Sequence, residues 1–170
     1  MTQEEKQLLL KDLCARLLHE VKIHINSCIE EQNQMQLFDV NIEAETIGVR
    51  NEKWTFRAIP IIDDEDETKV IKPYLRPMSS ITEEDIHSLF NAMYPDISMM
   101  WYEKETDLIR FRAADYNNKR FLHITLWFNK IYSLKQIDWL NAHHFDYRGL
   151  IEKGLALEAP EGMYECIKTE

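Results

Sequence analysis

The side chains best suited to chemistry crowd into one short stretch, His143-His-Phe-Asp-Tyr-Arg148. Two imidazoles and a carboxylate within four residues are three potential ligands for a divalent metal, with His123 or Glu152 available to complete the set. The same stretch can be read as an acid–base cluster of Asp146, Tyr147 and Arg148 around His144, because a carboxylate can orient an imidazole whose titration then falls near neutrality. Either arrangement would make a small hydrolase or a metal-dependent enzyme centred on this segment.

The spacing works against both. Neighbouring residues on a helix point about 100° apart, so His143 and His144 do not easily face one ion. Neither His-x-x-x-His nor His-Glu-x-x-His occurs in the chain. Ser79, Ser80 and the cysteines stand in no recognisable strand–turn–helix elbow that would expose a nucleophile. The commoner use of such residues is structural: one histidine partly buried at a helix end, the other solvated, Asp146 as an N-cap, and Arg148 in an ion pair. No catalytic residue, metal ligand or cofactor is assigned, and His143, His144, Asp146, Tyr147 and Arg148 stand as candidate binding residues.

Tyr74 and Arg76 form a second candidate. They sit in Lys72-Pro-Tyr-Leu-Arg-Pro77, where two prolines fix φ and remove backbone donors, which predicts a stiff, extended connector. Such a segment can present main-chain groups to a partner at low entropic cost, or it can be a linker pinned to the core by Tyr74 and Leu75. Met99, Met100, Trp101 and Tyr102 are either an exposed sticky patch or, more commonly, core. Phe121, His123, Thr125 and Trp127 share one strand face, which would line a small pocket or, more simply, lie under a helix.

Positioning these groups requires a folded chain, and 170 residues with 45% hydrophobic and 11% aromatic content suffice for one core. Thirty acidic against twenty basic residues give a net charge of -10, which repels duplex nucleic acid and anionic bilayers. Asp63-Asp-Glu-Asp-Glu67 must be a solvated loop, and it is the expected internal break, near residues 63–72. An acidic surface can also imitate nucleic acid and occupy a protein that binds it. Cys14, Cys28 and Cys166 form no Cys-x-x-Cys pair and leave an odd count, as expected of a reducing cytoplasm. The acidic N-terminus is unlike a signal peptide, and no apolar run approaches the roughly 20 residues of a spanning helix.

The elements follow from periodicity and capping. Thr2 and Glu5 have capping-box spacing, and Leu10, Leu13, Cys14 and Leu17 predict a helix over residues 3–18. Val21, Ile23 and Ile25, then Phe38, Val40, Ile42 and Ala44, then Trp54, Phe56 and Ala58 alternate with polar residues, predicting a three-stranded meander. Thr82, Asp85 and the Ile81–Ile86 staple open a central helix that Tyr94-Pro95 ends. Ile109 and Phe111 alternate with Arg110 and Arg112, and residues 121–128 are apolar on both faces, predicting a hairpin, turned at Asp115–Lys119, whose second strand is central. Ser133 and Gln136 form another capping box before a short helix, and Asp146 caps a further turn that ends at Gly154. The result is a single α+β domain over residues 1–170: an N-terminal meander and a later hairpin covered by N-terminal, central and short C-terminal helices.

Two stretches, Ile71-Lys-Pro-Tyr-Leu-Arg-Pro-Met-Ser-Ser-Ile-Thr-Glu-Glu84 and Asp138-Trp-Leu-Asn-Ala-His-His-Phe-Asp-Tyr-Arg-Gly-Leu-Ile-Glu-Lys-Gly-Leu-Ala-Leu-Glu-Ala-Pro160, resemble a family of small proteins without an assigned activity. That family occurs in Bacteroides-type gut bacteria, often beside prophages and other mobile elements. The N-terminal Leu8-Leu-Leu-Lys-Asp-Leu-Cys-Ala-Arg-Leu17 fits it as well. The resemblance implies a setting, phage or mobile-element cargo in a bacterial cytoplasm, and no mechanism. The expectation is therefore a non-enzymatic protein that contacts another protein. A hydrolase or metal-dependent enzyme and an acidic nucleic-acid mimic are the alternatives.

Overall fold

Thr2 caps the first helix as its spacing from Glu5 predicts. In the computed structural model, which describes residues 1–25, 34–61, 71–106, 108–115, 121–127, 130–131 and 133–164, the Thr2 hydroxyl accepts from the Glu5 N–H at 3.2 Å. The Glu5 carboxylate accepts in return from the Thr2 N–H at 2.7 Å. Helix α1 runs over Gln3–Arg16, and one 3₁₀ turn, Leu17–His19, follows it. Leu9, Leu10 and Leu13 are its buried stripe, and Cys14 is only half-buried. The other helices are α2 (Glu83–Met93) and α3 (Leu134–Ala142). The strands are β1 (Lys22–Ile25), β2 (Met35–Asn41), β3 (Thr46–Arg50), β4 (Thr55–Pro60), β5 (Ile71–Leu75), β6 (Ile97–Lys104), β7 (Leu108–Asp115), β8 (Phe121–Trp127) and β9 (Leu157–Glu158). The architecture is α+β with mainly antiparallel sheets, and no helix among the described residues is long and apolar enough to cross a membrane.

The chain forms two compact units, Met1–Arg76 with Gly149–Glu170, and Pro77–Arg148. The first unit holds a six-stranded sheet in the order β4-β3-β2-β1-β5-β9, antiparallel except where β9 joins β5. Two sequence expectations are corrected here. The meander has four strands, because Thr46–Arg50 pairs between β2 and β4 with Ile47 and Val49 buried. The connector at residues 72–77 is mostly β5, a strand inside the sheet. Pro73 is tolerated there because β9 pairs only with Tyr74 and Leu75.

Bulges shift which residues face the core. In the β2–β3 ladder Leu37 pairs with Val49 and Asp39 with Gly48, so Phe38 is the extra residue. The buried side therefore carries Met35 and Leu37, with Val40 partly buried, and not the expected Phe38–Ala44 series; the strand ends at Asn41 and Ile42 is exposed. In β4 the bulge falls at Ala58, whose φ is +56°, so Ile59 and not Ala58 joins Phe56 against the core.

The second unit is a three-stranded sheet, β6-β7-β8, with α2 and α3. Its core joins Ile86, Leu89 and Phe90 of α2 to Ile109, Phe111 and Ala113 of β7 and to Trp139 and Leu140 of α3. The Thr82 cap and the Ile81 and Ile86 positions are as expected. Three corrections apply. Ile97–Lys104 is a strand, with Trp101 exposed and not in the core. The central strand is β7, and β8 lies at an edge. On its outer face Phe121, His123 and Thr125 are exposed, not covered by a helix. The Asp63–Glu67 loop, most of the turn at 115–119, Cys28 and Cys166 lie outside the described residues.

Candidate functional site

The His143–Arg148 segment is built around the end of α3. At the start of that helix the Ser133 hydroxyl accepts from the Gln136 N–H at 3.1 Å. The Gln136 amide turns to the Lys130 carbonyl at 3.3 Å, so only half of the expected capping box forms. At its other end His144 adopts a left-handed conformation, φ +60°. The His144 N–H donates to the Asn141 carbonyl at 3.1 Å and the Phe145 N–H to the Leu140 carbonyl at 2.9 Å. These two bonds are a Schellman cap, with histidine where glycine is usual, and Phe145 packs in the same core as Leu140.

His143 is fixed by stacking. Its ring lies over Trp139 at 4.0 Å between centroids and 17° between planes, with Nδ1 2.9 Å from the Trp139 carbonyl. A carbonyl only accepts, so Nδ1 carries the proton and Nε2 is the ring's remaining acceptor in the neutral form. Trp139 also stacks on Phe145, 5.6 Å away at 16°, and its Nε1–H donates to Ser88 Oγ of α2 at 3.0 Å. His144 and Asp146 are buried, so the histidine expected to be solvated is not. Tyr147 and Arg148 are half-buried, with the guanidinium 5.0 Å from the Tyr147 ring centroid. The helical turn expected after Asp146 is a run of hydrogen-bonded turns. In the first unit it closes as foreseen at Gly154, φ +70°, whose N–H donates to the Ile151 carbonyl at 2.9 Å. Among the described residues no three His, Cys, Asp or Glu side chains are grouped so as to hold a metal ion.

Tyr74 and Arg76 belong to the first unit. The Tyr74 hydroxyl is 3.3 Å from His24 Nδ1, and the two rings meet edge to face. Burial, and then the charge of Lys72 directly opposite, hold the His24 pKa below its usual value. On the backbone side, the Tyr164 hydroxyl donates to the Tyr74 carbonyl at 2.9 Å and accepts from the Lys22 N–H at 2.9 Å. Ile23 pairs with Pro73, so Lys22 and Tyr74 would be the next pair of the ladder, and the hydroxyl stands in its place. Burial raises the Tyr164 pKa far above the ordinary phenol value, which keeps the donor protonated. Arg76, half-buried, follows the end of β5.

Sequence reasoning missed a third constellation, on the outer face of the second unit's sheet. Strand register lines up Trp101 of β6, Arg112 of β7 and His123 of β8 in one row, and Glu103, Arg110 and Thr125 in the next. Trp101 and Phe121 are each 54% exposed. The Arg112 guanidinium lies 5.3 Å from the Phe121 ring centroid, and among the described residues it has no carboxylate partner. Arg110, by contrast, pairs with Glu105 and, at 3.8 Å, with Glu103. The alternation of Arg110 and Arg112 with Ile109 and Phe111 already pointed the arginines outward. Placing Trp101 and Phe121 beside Arg112 needed the pairing of three strands. In the first unit a similar stack sets Phe38 5.7 Å from Arg50 and 5.8 Å from Arg57. A Cβ on Gly48 would come within 2.9 Å of that Phe38 ring, which accounts for the glycine.

No protein-family model, curated protein or solved structure matches this chain.

Proposed function

We propose that this protein acts by binding another protein, and that the partner docks on the outer face of β6-β7-β8. The observation that carries the reading is the row of Trp101, Arg112 and His123 with Phe121 beside it. Tryptophan, other aromatics and arginine are the residues most enriched at interface anchors, and two large rings here are more than half in solvent. Arg112, set beside the Phe121 ring and lacking a carboxylate among the described residues, calls for an acidic group on the partner. Tyr147 and Arg148, both half-buried, set a guanidinium against a ring in the same way. The resemblance to proteins found beside prophages and mobile elements supports a partner met in a bacterial cytoplasm. Nothing in the geometry of the His143–Arg148 segment favours the hydrolase or metal-enzyme alternative, and the acidic loop that a nucleic-acid mimic would use lies outside the described residues.

The test is affinity capture with wild type, Trp101→Ala and Arg112→Glu as folded baits, followed by titration of the purified partner. Loss of one buried anchor costs about 2 kcal/mol, so each variant should bind on the order of 30-fold more weakly. Equal binding by all three would remove this face from the reading, and a chain that binds no protein would remove the reading itself.

A further inference from the structure

Among the described residues, the four sheet edges are not alike. An edge strand presents unpaired N–H and C=O groups, and proteins blunt such edges with bulges, charges, prolines or shortness. Edge strand β4 has a bulge at Ala58, the charge of Arg57 and Pro60. Edge strand β9 is two residues long. Edge strand β6 has a bulge between Met99 and Trp101 and ends in Glu103-Lys104. Strand β8, Phe-Leu-His-Ile-Thr-Leu-Trp, has none of these devices: its register with β7 is unbroken and it contains no proline, glycine, lysine, arginine or carboxylate. Among the described residues no strand lies on its far side.

We infer that β8 is a pairing edge for a second copy of this chain, joined antiparallel about a two-fold axis through Ile124, so that two three-stranded sheets become one of six strands. The inference rests on the β8 edge and not on the docking proposed for the outer face, although it shares Phe121, Arg112 and His123 with that face. Charge at this edge permits that occupant. A chain of net charge -10 repels its own copies, and a neutral strand is the seam at which two of them meet without setting like charges opposite. The symmetry also matches residue types. Pairing about Ile124 sets Phe121 against Trp127 of the other copy on the outer face, and aromatic pairs across strands are favourable. On the inner face Leu122 meets Leu126 and Ile124 meets its own copy. His123 meets Thr125. The cations nearest the aromatic pair are already placed over its rings, Arg112 by Phe121 and Lys130 by Trp127 at 5.7 Å.

Sedimentation equilibrium of the full chain tests this, with His123→Glu/Thr125→Glu and His123→Lys/Thr125→Glu as variants. Both positions are exposed and lie opposite Arg112 and Arg110 within the monomer, so the new carboxylates face arginines; the lysine of the second variant faces Arg112, and circular dichroism checks that each variant keeps its fold. In the dimer positions 123 and 125 of different copies oppose each other. The wild type should be a dimer, the first variant a monomer because carboxylates meet carboxylates, and the second a dimer again because lysine meets glutamate. A monomeric wild type overturns the inference, as does a dimer indifferent to the first variant. A second variant that stays monomeric overturns the pairing about Ile124.

Discussion

The Arg16 guanidinium grips the Asp12 carboxylate with two hydrogen bonds, Nε to Oδ2 at 2.7 Å and Nη2 to Oδ1 at 3.1 Å, and neither side chain is exposed. The residues are one turn apart on α1, on the side that meets the sheet of the first unit. Removing two charges from water cancels most of what their attraction contributes, but taking away one member of a buried pair is costly. Asp12→Ala should therefore lower stability by about 3–5 kcal/mol, whereas Asp12→Leu/Arg16→Met should recover most of that loss. Urea unfolding of the three proteins decides it. A double variant as unstable as the single one would mean that Arg16 matters for packing and not for charge.

What the sequence disclosed was local. Thr82 and Asp85 are three residues apart, and their reciprocal bonds, Thr82 Oγ1 from the Asp85 N–H at 3.1 Å and Asp85 Oδ2 from the Thr82 N–H at 2.9 Å, follow from that spacing alone. The outward turn of Arg110 and Arg112 was legible for the same reason. Phe38 was not, because its bulge depends on how β2 meets β3, and a one-residue slip exchanges the faces of everything after it. The β5 strand was hidden by Pro73, whose tolerance depends on how short β9 is. Among site residues, Arg112 and Phe121 meet only through the β7–β8 register. His144 went unread as a helix cap because glycine is the ordinary signal for that conformation.

The His144 cap is testable by the conformational tolerance of its replacements. Its φ of +60° costs most side chains roughly 1–2 kcal/mol, costs asparagine less and glycine nothing. Glycine, however, gives up a ring that is 7% exposed and so loses packing that offsets the relief. His144→Asn and His144→Gly should stay within about 1 kcal/mol of wild type in thermal unfolding, and His144→Val, branched at Cβ, should lose about 2 kcal/mol. If valine is tolerated as well as asparagine, backbone conformation is not what this position supplies. A bound partner lost with His144→Asn, at unchanged stability, would return the residue to the list of binding groups.

Tyr164 closes the sheet of the first unit with one oxygen. Tyr164→Phe leaves the Lys22 N–H and the Tyr74 carbonyl without the hydroxyl that joins them, at a cost of about 1–3 kcal/mol. Hydrogen exchange at the Lys22 amide should accelerate in step with that loss. The pH dependence follows from burial, which raises the pKa of this phenol above its ordinary value of 10.0 in the folded chain. Below pH 10 both states hold the proton and the contribution is intact; above it the unfolded chain releases the proton first, so stability falls as pH rises further. The phenylalanine variant lacks that penalty, and the stability gap between it and the wild type should narrow above pH 10. A gap that stays constant from neutral pH into strong alkali would show that Tyr164 ionises as readily folded as unfolded, and would remove the buried bridge between Lys22 and Tyr74.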